Sequence, residues 1–168
     1  MTTIYLIRHG QASFGAESYD KLSPNGELQA KLLGQYFNKI LKEEPYVVAG
    51  SMQRHQQTAN LALAECFPEA SIVTDHAWNE FNHQQVFAQY EPRFNEPHLL
   101  KADVENETNP RAYLAKIFEG AIERWTGGDY HHEYDESWPD FKNRVETALQ
   151  NLSDELAKTK PRYAVVFT

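Results

Sequence analysis

Ile4-Tyr5-Leu6-Ile7-Arg8-His9-Gly10-Gln11 is the stretch on which the fold turns. Four apolar, β-favouring residues predict a strand at the very start of the chain, and the run Arg8-His9-Gly10 ends it. Outward from there the pattern repeats. Ser23-Pro24 opens a helix, with Ser23 as N-cap and Pro24 in the first turn. Leu28, Leu32, Tyr36, Phe37, Ile40 and Leu41 recur at helical spacing, and Pro45 closes the pattern. Tyr46–Ala49 reads as a second strand, about Gln53 to Cys66 as a second helix, and Ser71–Thr74 as a third strand.

The stretch from about 82 to 134 differs, being polar, aromatic and poor in strand signal. Its clearest helix follows Asn109-Pro110, with Tyr113, Leu114, Ile117, Phe118, Ala121, Ile122 and Trp125 on the apolar side and Gly127-Gly128 at its end. Ser137-Trp138-Pro139-Asp140 opens a last helix whose stripe is Phe141, Val145, Ala148, Leu149, Leu152 and Leu156. Arg162 to Phe167 is the fourth strand candidate. Strands alternating with helices predict an α/β fold: a single three-layer α/β/α domain over residues 1–168, with a mostly parallel central sheet and helices on both faces. The 82–134 segment is expected as a helical insertion over the strand carboxyl ends.

With 168 residues, one domain is the expectation. Sixteen lysines and arginines stand against 24 aspartates and glutamates, a net charge of −8, which argues against general affinity for nucleic acid or an anionic membrane. A phosphorylated substrate in a local basic pocket remains compatible. A lone cysteine, Cys66, allows no internal disulfide. With no leader-like N-terminus and no apolar run near 20 residues, the expectation is a cytoplasmic domain. Cys66 is expected as inert core.

Ligands of open α/β sheets bind beyond the carboxyl ends of the strands. Arg8-His9-Gly10-Gln11 follows the first strand, Gly50-Ser51-Met52-Gln53-Arg54-His55 the second, and Trp78-Asn79-Glu80-Phe81 the third. Arg8 and Arg54 can grip a phosphate dianion bidentately. A neutral His9 can attack phosphorus, and Glu80 can protonate the leaving oxygen if burial raises its pKa. Gly10 removes a Cβ where a phosphate approaches the backbone. His55 is expected to be exposed near the pocket rim. Arg93, Lys101 and Arg111 are candidates to meet a second acidic group. The tract His131-His132-Glu133-Tyr134-Asp135-Glu136 lacks metal-ligand spacing and reads as a solvated acidic loop.

These residues carry a resemblance. Arg8-His9-Gly10 after an N-terminal strand resembles the signature of the histidine phosphatase superfamily, which includes the phosphoglycerate mutases. Tyr19 to Ala30, Gly50 to Ala59, Asn79-Glu80, and Glu136-Ser137 with Phe141 and Arg144-Val145 match further segments of that family, in order. The resemblance implies His9 as the phosphorylated nucleophile, Arg8 and Arg54 as phosphate clamps and Glu80 as acid/base, with no metal and no cofactor. It makes a phosphatase acting on a small phosphomonoester the leading expectation. Mutase-type phosphoryl transfer and a non-catalytic phospho-ligand module are the alternatives. Phe81-Asn82-His83-Gln84 departs from the Arg-Tyr-Gly-type stretch of mutases, and Gly15 stands where many members carry an asparagine. The family's second pocket histidine aligns one position past Thr168, so the chain is expected to continue.

Overall fold

Tyr163–Phe167, the apolar run near the end of the chain, lies between two strands that never touch each other. The computed structural model describes residues 1–13 and 20–168. Among them the elements run β1 (Thr3–Ile7), α1 (Pro24–Ile40), β2 (Tyr46–Ala49), α2 (Gln53–Ala64), β3 (Ile72–Thr74), α3 (His83–Tyr90), α4 (Pro97–Asn106), α5 (Pro110–Thr126), α6 (Trp138–Thr159) and β4 (Tyr163–Phe167). The sheet order is β1-β4-β2-β3, with every pairing parallel. A strand paired on both edges and covered on both faces has no polar side to show, so all five residues of β4 are buried.

Register aligns the strand ends. Ile7 pairs with Phe167, Phe167 with Ala49, and Ala49 with Thr74. The residues that follow each strand therefore leave from one edge of the sheet. Two compact units make up the chain: residues 1–79 with 145–168, and residues 80–144.

In the first unit, helices cover both faces of the sheet. On one face Phe37, Leu41 and Leu63 pack with Val47, Ala49, Val165 and Phe167. On the other, Ala148, Leu152 and Leu156 of α6 pack with Val48, Trp78, Ala164 and Val166. The predicted Ser23 cap is present, its hydroxyl accepting the Gly26 amide at 3.1 Å. The expected apolar stripe of α1 is partly wrong. Leu28, Leu32 and Tyr36 are more than half exposed, while Gly26, Ala30, Gly34 and Phe37 are buried. Small residues win because α1 lies against α2: a Cβ on Gly34 would stand 2.1 Å from the Ala62 carbonyl oxygen. Leu149, expected on the α6 stripe, is likewise 47% exposed.

The second unit is helical, and α3 and α4 join the predicted α5 there. Asn109 caps α5 by accepting the Ala112 amide. Ser137 and Asp140 exchange side-chain-to-amide bonds at the start of α6. The core of this unit is aromatic: Trp125 stacks on Phe81 at 4.8 Å and meets Trp138 and Phe141, with Val86, Ala121 and Tyr134 beside them. Among the described residues no helix is long and apolar enough to cross a membrane.

Candidate active site

The sheet ladder continues past the strand ends and fixes the backbone of the site. Thr168 N donates to Ile7 O at 2.9 Å, His9 N to Thr168 O at 2.8 Å, and Gly50 N to Phe167 O at 3.0 Å. His9 and the loop leading to Arg54 are thereby both tied to β4.

The His9 ring has a defined orientation. Its Nδ1 lies 2.7 Å from the Gly10 carbonyl oxygen. A carbonyl only accepts, so Nδ1 carries the proton, and in the neutral ring Nε2 holds the lone pair. Arg54 Nε donates to that Nε2 at 3.2 Å. Arg54 is 3% exposed, on the first turn of α2. Its Nη1 donates to Asp20 Oδ1 at 2.7 Å. Asp20 Oδ2 accepts the Gln53 amide at 2.8 Å and so caps α2, whose N-cap residue, Met52, makes no side-chain bond. Two residues on, the Leu22 amide donates to Gln57 Oε1.

A second brace runs through Thr58, which is 1% exposed. Its hydroxyl donates to the Arg54 carbonyl at 2.7 Å and accepts the Gly10 amide at 3.0 Å. Gly10 is required by packing: a Cβ there would meet the Gly26 carbonyl oxygen at 2.5 Å. Arg8 is exposed, and with His9, Gly10, Gln29 and Thr58 it lines a cavity of about 260 Å³.

His55 corrects the sequence expectation. It is fully buried on the first turn of α2, with its ring centroid 5.6 Å from that of His9. Sequence reasoning gave Asp20 and Thr58 no role, although both fall in the matched segments; their partners are 34 and 48 residues away in sequence. Gly15 and Tyr19 lie outside the described residues. Burial pushes the Cys66 thiol up, which keeps thiolate scarce and fits an inert residue.

Glu80 is half-buried and begins the second unit. The residue before it, Asn79, ends the first unit, where its Oδ1 accepts the Ser51 amide at 2.7 Å. Within the second unit Arg93 is held by Glu91 and Asp103. Lys101 sits 3.7 Å from Glu105 in an exposed helical pair, and Arg111 is exposed. A groove of about 410 Å³ there is lined mainly by carboxamides, among them Asn82, Gln84, Gln85, Gln89 and Asn95.

The sequence model of the histidine phosphatase superfamily (branch 1) matches residues 4–107. No curated protein matches the chain. Among solved structures, a phosphoglycerate mutase from Bacillus anthracis is 19% identical, with a TM-score of 0.67 over 99% of this chain and 74% of its own. The alpha-ribazole phosphatase from Shigella flexneri is 20% identical, with a TM-score of 0.59 over 98% of this chain and 72% of its own. A mycobacterial glucosyl-3-phosphoglycerate phosphatase, solved in complex with VO3, is 19% identical, with a TM-score of 0.53 over 96% of this chain and 72% of its own.

Proposed function

This chain belongs to the histidine phosphatase superfamily, and from that premise we propose that it hydrolyses a small phosphomonoester through a phosphohistidine on His9. One observation carries the reading: His9 Nδ1 is anchored on the Gly10 carbonyl while Nε2 faces the Arg54 guanidinium. A nucleophile with its lone pair aimed at a buried, permanently charged donor matches what a phosphoryl group needs, attack on phosphorus from one side and neutralisation of its oxygens from another.

In the proposed reaction the substrate phosphate takes over the Arg54 Nε–H from His9, and the exposed Arg8 adds a second guanidinium. Nε2 then attacks phosphorus. The P–O ester bond breaks, and the leaving oxygen takes a proton from the Glu80 carboxyl group. In the second half Glu80, now a carboxylate, removes a proton from water. The oxygen attacks phosphorus, the N–P bond breaks, and inorganic phosphate leaves with His9 neutral again. Every charge on the phosphoryl oxygens is met by arginine, so the scheme calls for no metal. The two phosphatases of similar fold support hydrolysis of small phosphorylated metabolites as the class of reaction.

The test is hydrolysis of 4-nitrophenyl phosphate in the presence of EDTA, with His9→Ala beside the wild type. The expected loss is about a thousandfold or more, together with loss of acid-labile phosphate on the protein after a quench. Equal rates for the two proteins would sink the proposal. An isomerised phosphate ester in place of free phosphate would replace it with mutase chemistry.

A further inference from the structure

We propose that Asp20 is the positioning residue that presets the Arg54 guanidinium, so that a phosphoryl group meets an already aimed clamp; this rests on the reading of His9 and Arg54 given above. An arginine has a long, rotatable side chain, and ordering it on demand costs entropy in the step that needs it. Arg54 is ordered beforehand. Its Nη1 is on Asp20 Oδ1 at 2.7 Å, and its Nε is 3.2 Å from His9 Nε2. Directional bonds at two atoms of a rigid planar fork leave it little freedom to swing.

Asp20 can serve as a reference because its own carboxylate is immobilised. Oδ2 accepts the Gln53 amide at the N-terminus of α2, one residue before Arg54 itself. The aim of the guanidinium is thus locked to the helix that carries it. Charge favours the same arrangement. A guanidinium that is 3% exposed is costly unless paired, and Asp20, at 41% side-chain exposure, supplies the compensating charge while keeping its own access to water. Arg8 contrasts with this. It is exposed, and so free to follow a substrate that Arg54 has already located.

Asp20 also caps α2, so a lost cap has to be told apart from lost aim. A double-mutant cycle does this, with D20A, R54A and D20A/R54A of the full protein assayed for kcat and KM on 4-nitrophenyl phosphate. A second readout, independent of turnover, is the affinity for orthovanadate. If Asp20 acts through Arg54, D20A lowers kcat about 10- to 100-fold in the wild-type background and less than about threefold when Arg54 is already alanine. The vanadate affinities show the same coupling. D20N keeps one acceptor oxygen for the Gln53 amide but loses the charge, so it matches D20A in rate while melting near the wild type. Equal losses in both Arg54 backgrounds reduce Asp20 to a helix cap and overturn the proposal, as does a D20N that is fully active. A wild type that hydrolyses nothing defeats the phosphatase reading instead, and the vanadate cycle still decides the role of Asp20.

Discussion

In the first unit the polar side chains around His9 hold one another, whereas in the second unit aromatic rings do the holding. Asp20, Arg54, Thr58 and the Gly10 backbone form a set of directional hydrogen bonds of 2.7 to 3.0 Å. Trp125, Phe81, Trp138 and Phe141 form one aromatic cluster, and Phe87, Phe94 and Phe118 another. Ring contacts tolerate several geometries at similar energy. The difference teaches where tolerance is allowed. Directional hydrogen bonds suit a place where donors must not move, and ring packing suits a place where shape can vary. The groove of the second unit is lined mainly by neutral carboxamides.

Trp125→Ala breaks the second region most severely. The side chain is 2% exposed and its Nε1 donates to the Glu136 carbonyl. The expected cost is about 3–5 kcal/mol, visible as an early transition in near-ultraviolet circular dichroism. Vanadate binding at His9 should survive; its loss would mean that the two units unfold as one.

Gly34→Ala tests the first region away from His9. Alanine normally favours a helix over glycine by up to about 1 kcal/mol. Here the new methyl meets the Ala62 backbone carbonyl, so destabilisation by about 1–3 kcal/mol is expected from urea unfolding. A stabilised variant would show that α1 and α2 have room to separate.

The smallest effect belongs to Glu91. Its hydrogen bond to the Arg93 guanidinium holds its carboxyl below the ordinary range, against the opposing pull of burial. A lowered folded pKa means the stabilisation is complete above the unfolded value of about 4.3 and is lost as the pH falls through the lower folded value. Glu91→Gln should therefore cost at most about 1 kcal/mol near neutral pH, with the difference from wild type closing as thermal melts are taken below about pH 4. A difference that widened in acid would reverse the assignment.

Much of the fold was legible because local and global signals agree in it. The strand Tyr46–Ala49 and the Ser23 cap stand where they were expected, and a helix does follow Asn109. Legibility failed where packing outvotes hydropathy. In α1 the buried side is built on Gly26, Ala30 and Gly34, which hydrophobic counting ignores, and the leucines face water. Helices α3 and α4 left little trace, because His83–Tyr90 buries only Val86 and is otherwise rich in glutamine. A short helix of that kind depends on tertiary contacts for its existence. At the site, Arg8, His9 and Arg54 are residue types that suit phosphate chemistry, and that much can be read from the sequence. The burial of His55 and the bonds of Asp20 and Thr58 cannot, since they depend on which distant backbone a side chain meets.

The place of β4 between β1 and β2 also sets the order of assembly. A nascent chain that has emerged through Thr74 holds three strands, yet β1 has no neighbour, because its partner is some 160 positions away and still unmade. At ribosomal speed that wait is on the order of ten seconds. Through that interval the segment bearing His9 is an open edge without a template. Only once Tyr163–Phe167 is made can β1 join β2 and β3 in one sheet, and the same segment brings the Thr168 carbonyl that accepts the His9 amide. The pairing that joins β1 to the rest of the sheet and the backbone bond that holds His9 thus come from one and the same segment.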